Sequence, residues 1–135
     1  MKTKINTTFF TVLFWLLVSV STSTRVTAQV QNDENTGVEV YYFHFNTRCE
    51  TCRAVESEAQ LGVQLLFGDE VKFTAVNLDK KEGEAKGKEL GINSQMLVIV
   101  KGDKKINLTN EGFLYAQTNP DKFRKIIEEK IKPLL

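Results

Sequence analysis

A nearly uninterrupted run of β-branched and aromatic residues, VEVYYFHF at residues 38–45, constrains the fold of this chain more than any other feature. Such a run is typical of a strand that is buried on both faces, as strands of parallel sheets are. Cys49 and Cys52 follow it closely, and helical spacing of apolar residues begins at the first cysteine. The sequence therefore predicts a central strand that leads into a helix with two cysteines at its N-terminus.

The segments that follow predict an alternation of helices and strands. A helix is expected over residues 49–66, with a single buried stripe. The residues of that stripe are Ala54, Leu61, Leu65 and Leu66. Residues 71–77 alternate well enough for a second strand, parallel to the first and joined to it by a right-handed crossover. Residues 79–90 are rich in charge and contain two glycines, so they predict a short, solvated and weak helix.

The C-terminal part predicts a hairpin and one more helix. Residues 96–100, MLVIV, indicate a strand, and residues 101–104 form a turn into an antiparallel partner over residues 105–109. Asn119 can cap a final helix that has Pro120 at its first position. The apolar residues expected on the buried face of that helix are Phe123, Ile126, Ile127 and Ile131.

The N-terminus has the order of a secretory signal. Lys2 and Lys4 precede an apolar stretch at residues 9–20, and a short run of serine and threonine follows. Those twelve residues would rise only about 18 Å as a helix, against a hydrocarbon core of roughly 30 Å, which disfavours a stable membrane span. We expect residues 1–28 to be a cleaved signal peptide, the alternative being an uncleaved anchor. Residues 29–37 would then be a flexible lead of a periplasmic protein.

Composition narrows the choice of partners and scaffold. The formal charge of the chain is +1, but the first 28 residues hold three basic residues and no acid, which leaves 15 Lys+Arg against 17 Asp+Glu, a charge of −2. Such a domain has no strong attraction for phosphate backbones, so nucleic acid is not expected as a partner. Because the chain has only two cysteines, a small scaffold held by many disulfides is excluded.

The order strand, helix, strand, helix, strand, strand, helix, with CETC at the first strand-to-helix junction, resembles the thioredoxin-like superfamily. The resemblance covers residues 38–135 and implies an α/β thioredoxin-like domain. Its central four-stranded mixed sheet would have the order 2-1-3-4, with helices on its faces, and would lack the extra N-terminal strand and helix of full thioredoxins. More narrowly, VEVYYFHFNTRCETCRAVE is similar to the ArsF-like family, exported proteins described as nitrophenyl compound nitroreductase subunits in Bacteroidetes-type bacteria.

The two cysteines predict thiol–disulfide exchange without an organic cofactor. Cys49, at a helix N-terminus, faces unpaired backbone N–H groups that favour its thiolate, so it is the expected attacking thiol. Cys52, one turn further along, is the expected resolving thiol. Arg48 and Arg53 should favour the thiolate, whereas Glu50 should oppose it, so we expect a moderate rather than a strong effect. Thr51 completes the motif.

Other interpretations of the cysteine pair remain open. A passive disulfide is one, although closing a four-residue loop contributes only about 2 kcal/mol in the chain-entropy model. A zinc site needs four ligands, and the chain offers two cysteines and one histidine, so no metal is expected. A non-catalytic binding module, which would hold a soft metal(loid) or a partner protein through the dithiol, is the alternative from a different functional class.

His44 has two interpretations. It lies five residues before Cys49, near the place where thioredoxins keep a buried acid, although the position six before that cysteine is Phe43. It is either a neutral core histidine hydrogen-bonded to a neighbour or a proton acceptor for Cys52.

The loop before the third strand departs from the superfamily. Thioredoxin-like proteins usually place a cis-proline there, but Gln95 occupies that position in the segment Ser94, Gln95, Met96. Because a cis bond without proline costs about 2.5–4 kcal/mol, the bond between Ser94 and Gln95 is expected to be trans, with a rebuilt substrate-facing loop.

The expected partners are a membrane thiol-electron donor and a protein or small-molecule disulfide substrate.

Overall fold

The computed structural model describes residues 37–135, and the predicted signal peptide and residues 29–36 of the predicted lead lie outside that range. The strands are β1 (Glu39–His44), β2 (Lys72–Asn77), β3 (Met96–Lys101) and β4 (Lys104–Asn107). The helices are α1 (Glu50–Phe67), α2 (Lys81–Leu90), α3 (Thr109–Tyr115) and α4 (Pro120–Ile131). None of these helices is both long and apolar enough to cross a membrane.

The four strands form one mixed sheet in the order β2-β1-β3-β4, which confirms the predicted order. Strand β1 pairs in parallel with β2, from Glu39 opposite Lys72 to His44 opposite Asn77. It pairs in antiparallel fashion with β3, which forms a hairpin with β4. The run at residues 38–45 is therefore the central strand, as its composition predicted.

Two apolar cores explain why β1 is apolar on both faces. Val40 and Tyr42 belong to the larger core, together with buried residues of α1 and α4. Tyr41 and Phe43 belong to a smaller core on the opposite face, on the side of α2. Because successive side chains of a strand point to opposite faces, both sets of β1 residues are buried.

Helix α1 buries a different face from the predicted one. Leu61 and Leu65 are 45% and 68% exposed, and Leu66 is also exposed, so the prediction is wrong for these three leucines. Ala54, the fourth residue of the predicted stripe, is partly buried against the core. The buried residues are Cys52, Val55, Ala59, Gly62 and Val63. This face is largely composed of small residues, which allow close packing: a Cβ at Gly62 would lie 3.1 Å from Cγ of Arg124 in α4. The bulkier leucines therefore lie on the outer side of the helix.

Two glycines bring helix α2 against the backbone of its neighbours. A Cβ at Gly83 would lie 1.9 Å from the carbonyl oxygen of Asn77, at the end of β2. A Cβ at Gly87 would lie 2.5 Å from the carbonyl oxygen of Ile92. Both glycines are buried, although the rest of the helix is mostly solvated, as the charge pattern predicted. These glycines lower helix propensity, but they also permit the close approach.

Helix α3 was not predicted: residues 110–115 were assigned to no element, and Thr109 was assigned to a strand that in fact ends at Asn107. Thr109 leaves the strand, and its Oγ1 accepts a hydrogen bond from Leu97 N at 3.0 Å. The final helix agrees with the prediction: Oδ1 of Asn119 accepts from Lys122 N at 3.1 Å, and Pro120 is the first residue of α4.

Candidate active site

Cys49 and Cys52 are joined by a disulfide bond at the first turn of α1, with their Cα atoms 5.1 Å apart. Cys49 is the N-cap residue, and its Sγ accepts a hydrogen bond from the backbone N–H of Cys52 at 3.1 Å. Cys49 is exposed, whereas Cys52 is only 6% exposed. A thiol or disulfide arriving from solvent can therefore reach Cys49 more readily than Cys52.

The loop between β1 and α1 is held by the neighbouring loop after β2. The backbone N–H of Asn46 donates to Oδ2 of Asp79 at 2.6 Å, and Nδ2 of Asn77 donates to Oδ1 of Asn46 at 2.8 Å. The backbone N–H of Leu78 donates to the His44 carbonyl at 2.7 Å. These bonds fix the direction in which the chain leaves β1, and hence the start of the helix that carries the cysteines.

The charged residues beside the motif are partly paired with each other. Arg48 forms a half-buried ion pair with Glu56, one turn beyond Cys52. Arg53 donates from its guanidinium to the Arg48 carbonyl at 3.3 Å, and Glu50 is exposed. Because Glu56 offsets the charge of Arg48, less of that charge acts on Cys49 than the sequence alone indicated.

Tyr42 lies beneath the motif and was not predicted as a site residue. Its hydroxyl donates to the Cys52 carbonyl at 2.9 Å and accepts from Nε2 of Gln95 at 2.6 Å. The side chain is fully buried. Burial raises the pKa of Tyr42 above its usual value, and the hydrogen bond from Gln95 opposes part of that shift. The phenol is therefore protonated at neutral pH and can serve as a donor.

The loop before β3 adjoins the motif through this tyrosine. Ser94 is exposed, whereas Gln95 and Met96 are half-buried. The peptide bond between Ser94 and Gln95 is trans, as expected for a bond without proline. Met96 begins β3 and lies opposite Phe43 of β1. The side chain of Gln95 thus reaches the central strand where a proline would have offered no donor.

His44 is 7% exposed, and its Nδ1 donates to the Phe45 carbonyl at 3.0 Å. Since a carbonyl only accepts, Nδ1 is the donor in this hydrogen bond. The ring centroid lies 6.1 Å from that of Tyr42. No hydrogen bond joins His44 to Cys49 or Cys52, and its role as proton acceptor stays a prediction.

Thr51, between the cysteines, connects the motif to the turn after α3. Its Oγ1 donates to Oε1 of Gln117 at 3.1 Å. Gln117, Glu56 and Tyr42 are the site residues that sequence reasoning missed. Strand alternation places Tyr42 on the same face of β1 as His44, and a buried tyrosine hydroxyl needs a partner, so that residue had a usable signal. For Gln117, the sequence contained no such signal.

The fold of this chain is similar to that of a solved protein structure. The crystal structure of Trxlp from Edwardsiella tarda EIB202 has a TM-score of 0.50 at 13% identity, and the match covers 69% of this chain and 84% of that one. This match and the four-stranded sheet, in the order β2-β1-β3-β4, together identify the fold. The chain has a thioredoxin-like fold.

Two further solved structures match less closely. Thioredoxin from Fasciola hepatica gives a TM-score of 0.46 at 23% identity, over 73% of this chain and 85% of that one. A thioredoxin-like protein from Clostridium perfringens gives 0.41 at 13% identity, over 73% and 93%. No protein-family model matches the chain, and no curated protein matches it in sequence. The thioredoxin-like fold and the disulfide-bonded pair of Cys49 and Cys52 together support a thiol–disulfide redox role.

Proposed function

We propose that this protein is an exported thiol–disulfide oxidoreductase in which Cys49 attacks and Cys52 resolves. One observation carries the proposal: in a thioredoxin-like fold, the exposed Cys49 caps helix α1 and the buried Cys52 lies one turn further along. Unpaired N–H groups at a helix N-terminus stabilise a thiolate, and the N–H of Cys52 already points at the Cys49 sulfur. The two thiols thus differ in access, as their roles require.

The exchange takes place in two displacements. The Cys49 thiolate attacks a substrate disulfide, which forms a mixed disulfide and releases one substrate thiolate. The Cys52 thiolate then attacks the Cys49 sulfur, which closes the Cys49–Cys52 disulfide and releases the second substrate thiolate. Two electrons pass to the substrate, so a dithiol donor must reduce the protein before the next cycle.

The direction of electron flow that we propose is reductive. The bacterial periplasm is kept oxidising, so a reduced Cys49–Cys52 pair there needs electrons from across the inner membrane. We therefore propose a membrane thiol-electron donor as one partner and a protein or small-molecule disulfide as the other. The resemblance to the ArsF-like family suggests a pathway that acts on nitroaromatic or arsenic compounds.

Titration in glutathione redox buffers tests this function. We expect Cys49 and Cys52 to interconvert reversibly between dithiol and disulfide, with a potential nearer to the roughly −270 mV of thioredoxin than to the roughly −120 mV of a strong oxidant. The oxidised fraction is measured by alkylation and mass spectrometry, with the double serine variant as the control. Reduced protein should then transfer its electrons to insulin disulfides.

Two results would contradict the proposal in different ways. A potential near −120 mV would overturn the reductive direction. A pair that cycles with glutathione but never exchanges with a protein or small-molecule disulfide would favour the non-catalytic binding module, which holds a soft ion or a partner. In residues 37–135, no group of three or more His, Cys, Asp or Glu side chains could hold a metal ion, so that module would depend on the two thiols.

Export is tested by the mass of the secreted protein. We expect the mature chain to begin near Gln29, because the apolar stretch is short and Ala28 is a small residue of the kind that precedes a cleavage site. The measurement is the intact mass of protein from the periplasmic fraction of a bacterial host. Recovery of the full-length chain alone, in the membrane fraction, would show that the N-terminus is an anchor.

A further inference from the structure

The backbone of Cys52 is held by polar groups on both sides of its Cα atom. Its carbonyl accepts from the Tyr42 hydroxyl at 2.9 Å, and its N–H donates to Sγ of Cys49 at 3.1 Å. Tyr42 in turn accepts from Gln95 at 2.6 Å. A continuous series of three hydrogen bonds therefore joins the loop before β3 to the sulfur of the exposed cysteine.

We propose that Tyr42 and Gln95 are positioning residues for this redox pair, because they hold the backbone of Cys52, whose N–H points at the Cys49 sulfur. The inference rests on the proposed function and adds to it a connection between the substrate-facing loop and the reactivity of Cys49. Neither side chain touches the sulfur, so both act through the backbone of Cys52.

The donors and acceptors allow only one orientation of this series. The Cys52 carbonyl can only accept, and the phenol has a single proton, so Tyr42 must give that proton to Cys52. If the Gln95 amide were reversed, its oxygen would face a hydroxyl whose proton is already used. Nε2 of Gln95 must therefore face Tyr42, as it does.

The effect on Cys49 follows from the charge on its sulfur. A hydrogen bond to a thiolate is stronger than one to a neutral thiol, so the Cys52 N–H favours the ionised form as long as it stays aimed at Sγ. Without the Tyr42 hydroxyl, the first turn of α1 loses the hydrogen bond that joins its Cys52 carbonyl to β1. A substrate that displaces Gln95 would loosen the same connection, which links contact at the loop to the reactivity of the thiol.

Alkylation of a single thiol measures this effect. In full-length Cys52→Ala, the backbone N–H and carbonyl of residue 52 are kept, and iodoacetamide reacts with Cys49 alone. Adding Tyr42→Phe should move the pH profile of the alkylation rate toward higher pH. Gln95→Met, at a less buried position, should move it in the same direction. We expect about a threefold lower rate at pH 7, since only part of the lost hydrogen bond is transmitted to the Cys49 sulfur.

Tyr41→Phe is the matched control. Tyr41 is the next residue of β1, its hydroxyl donates to Oε2 of Glu39 at 2.7 Å, and it belongs to the core on the opposite face. Removing that hydroxyl should leave the alkylation profile unchanged. Combining Tyr42→Phe with Gln95→Met should lower the rate no further than Tyr42→Phe alone, because either change interrupts the same series.

An unchanged alkylation profile in folded Tyr42→Phe and Gln95→Met proteins would overturn the inference, even if their thermal stability fell. Equal changes in the Tyr41→Phe control would overturn it as well. Alkylation requires no redox partner, so the outcome is separable from the proposed function. Protein that gives the expected profiles but fails to exchange with any disulfide would refute the oxidoreductase and support the positioning of Cys49.

Discussion

Cys52→Ser is expected to accumulate a mixed disulfide with substrate through Cys49, whereas Cys49→Ser should trap at least about tenfold less. In the first variant the exposed, helix-capping thiol remains and nothing can resolve the intermediate. In the second variant the remaining thiol is buried, with only 6% of the residue exposed, and does not occupy the N-cap position. A substrate disulfide would reach it only after the first turn of α1 opens.

The trapped species is quantified by non-reducing electrophoresis and by mass spectrometry of the adduct. The matched control is the variant with serine at both positions, which reports covalent capture that does not involve the motif. Equal trapping by the two single variants would mean that the difference in exposure between Cys49 and Cys52 does not decide which thiol attacks. The assigned roles would then be wrong, although redox cycling itself could still occur.

Gly83→Ala should destabilise the protein by about 3 kcal/mol, at the upper end of the range for overpacked sites. The added Cβ would lie 1.9 Å from a backbone oxygen, that of Asn77, and a backbone atom cannot turn aside as a flexible side chain can. Helix α2 must therefore move away from the end of β2. The Asn77 side chain also holds Asn46 in the loop before the cysteines, so the movement extends toward the active site.

Urea unfolding of the purified variants measures this loss. Ala85→Ser is the matched control, since residue 85 lies between the two glycines on the exposed side of the same helix, and its change should stay within about 0.5 kcal/mol. Gly87→Ala should lie between the two, because one of its two closest contacts is the flexible side chain of Leu78. A loss below about 1 kcal/mol for Gly83→Ala would show that α2 can shift away at little cost.

The sequence predicted those parts of the fold that depend on local pattern. The central strand has an apolar pattern that fits burial on both faces, and Asn119 with Pro120 marks the start of a helix by local chemistry. The buried face of α1 was predicted wrongly because that helix is apolar on two sides. Only the packing partners decide between the sides, and Gly62 against Arg124 favours the one with small residues.

In the candidate site, too, the features that depend on neighbouring residues could be predicted, and those that depend on distant contacts could not. The placement of Cys49 and Cys52 at a strand-to-helix junction depends on neighbouring residues and could be predicted from their spacing. The hydrogen bond between Tyr42 and Gln95 joins residues that lie 53 positions apart in the sequence. The hydrogen bond between Thr51 and Gln117 joins residues that lie 66 positions apart. No spacing rule reaches such distances, so these contacts depend on the register of the sheet and the path of the final loops.

Strand β1 is paired on both sides, with β2 and with β3, and both of its faces are buried. Amide protons of such a strand exchange with solvent only in large-scale opening, whereas a helix end can fray locally. Reduction of the disulfide removes a covalent restraint from the first turn of α1 and not from the strand that precedes it. Any motion that accompanies the redox cycle can therefore remain confined to the helix end.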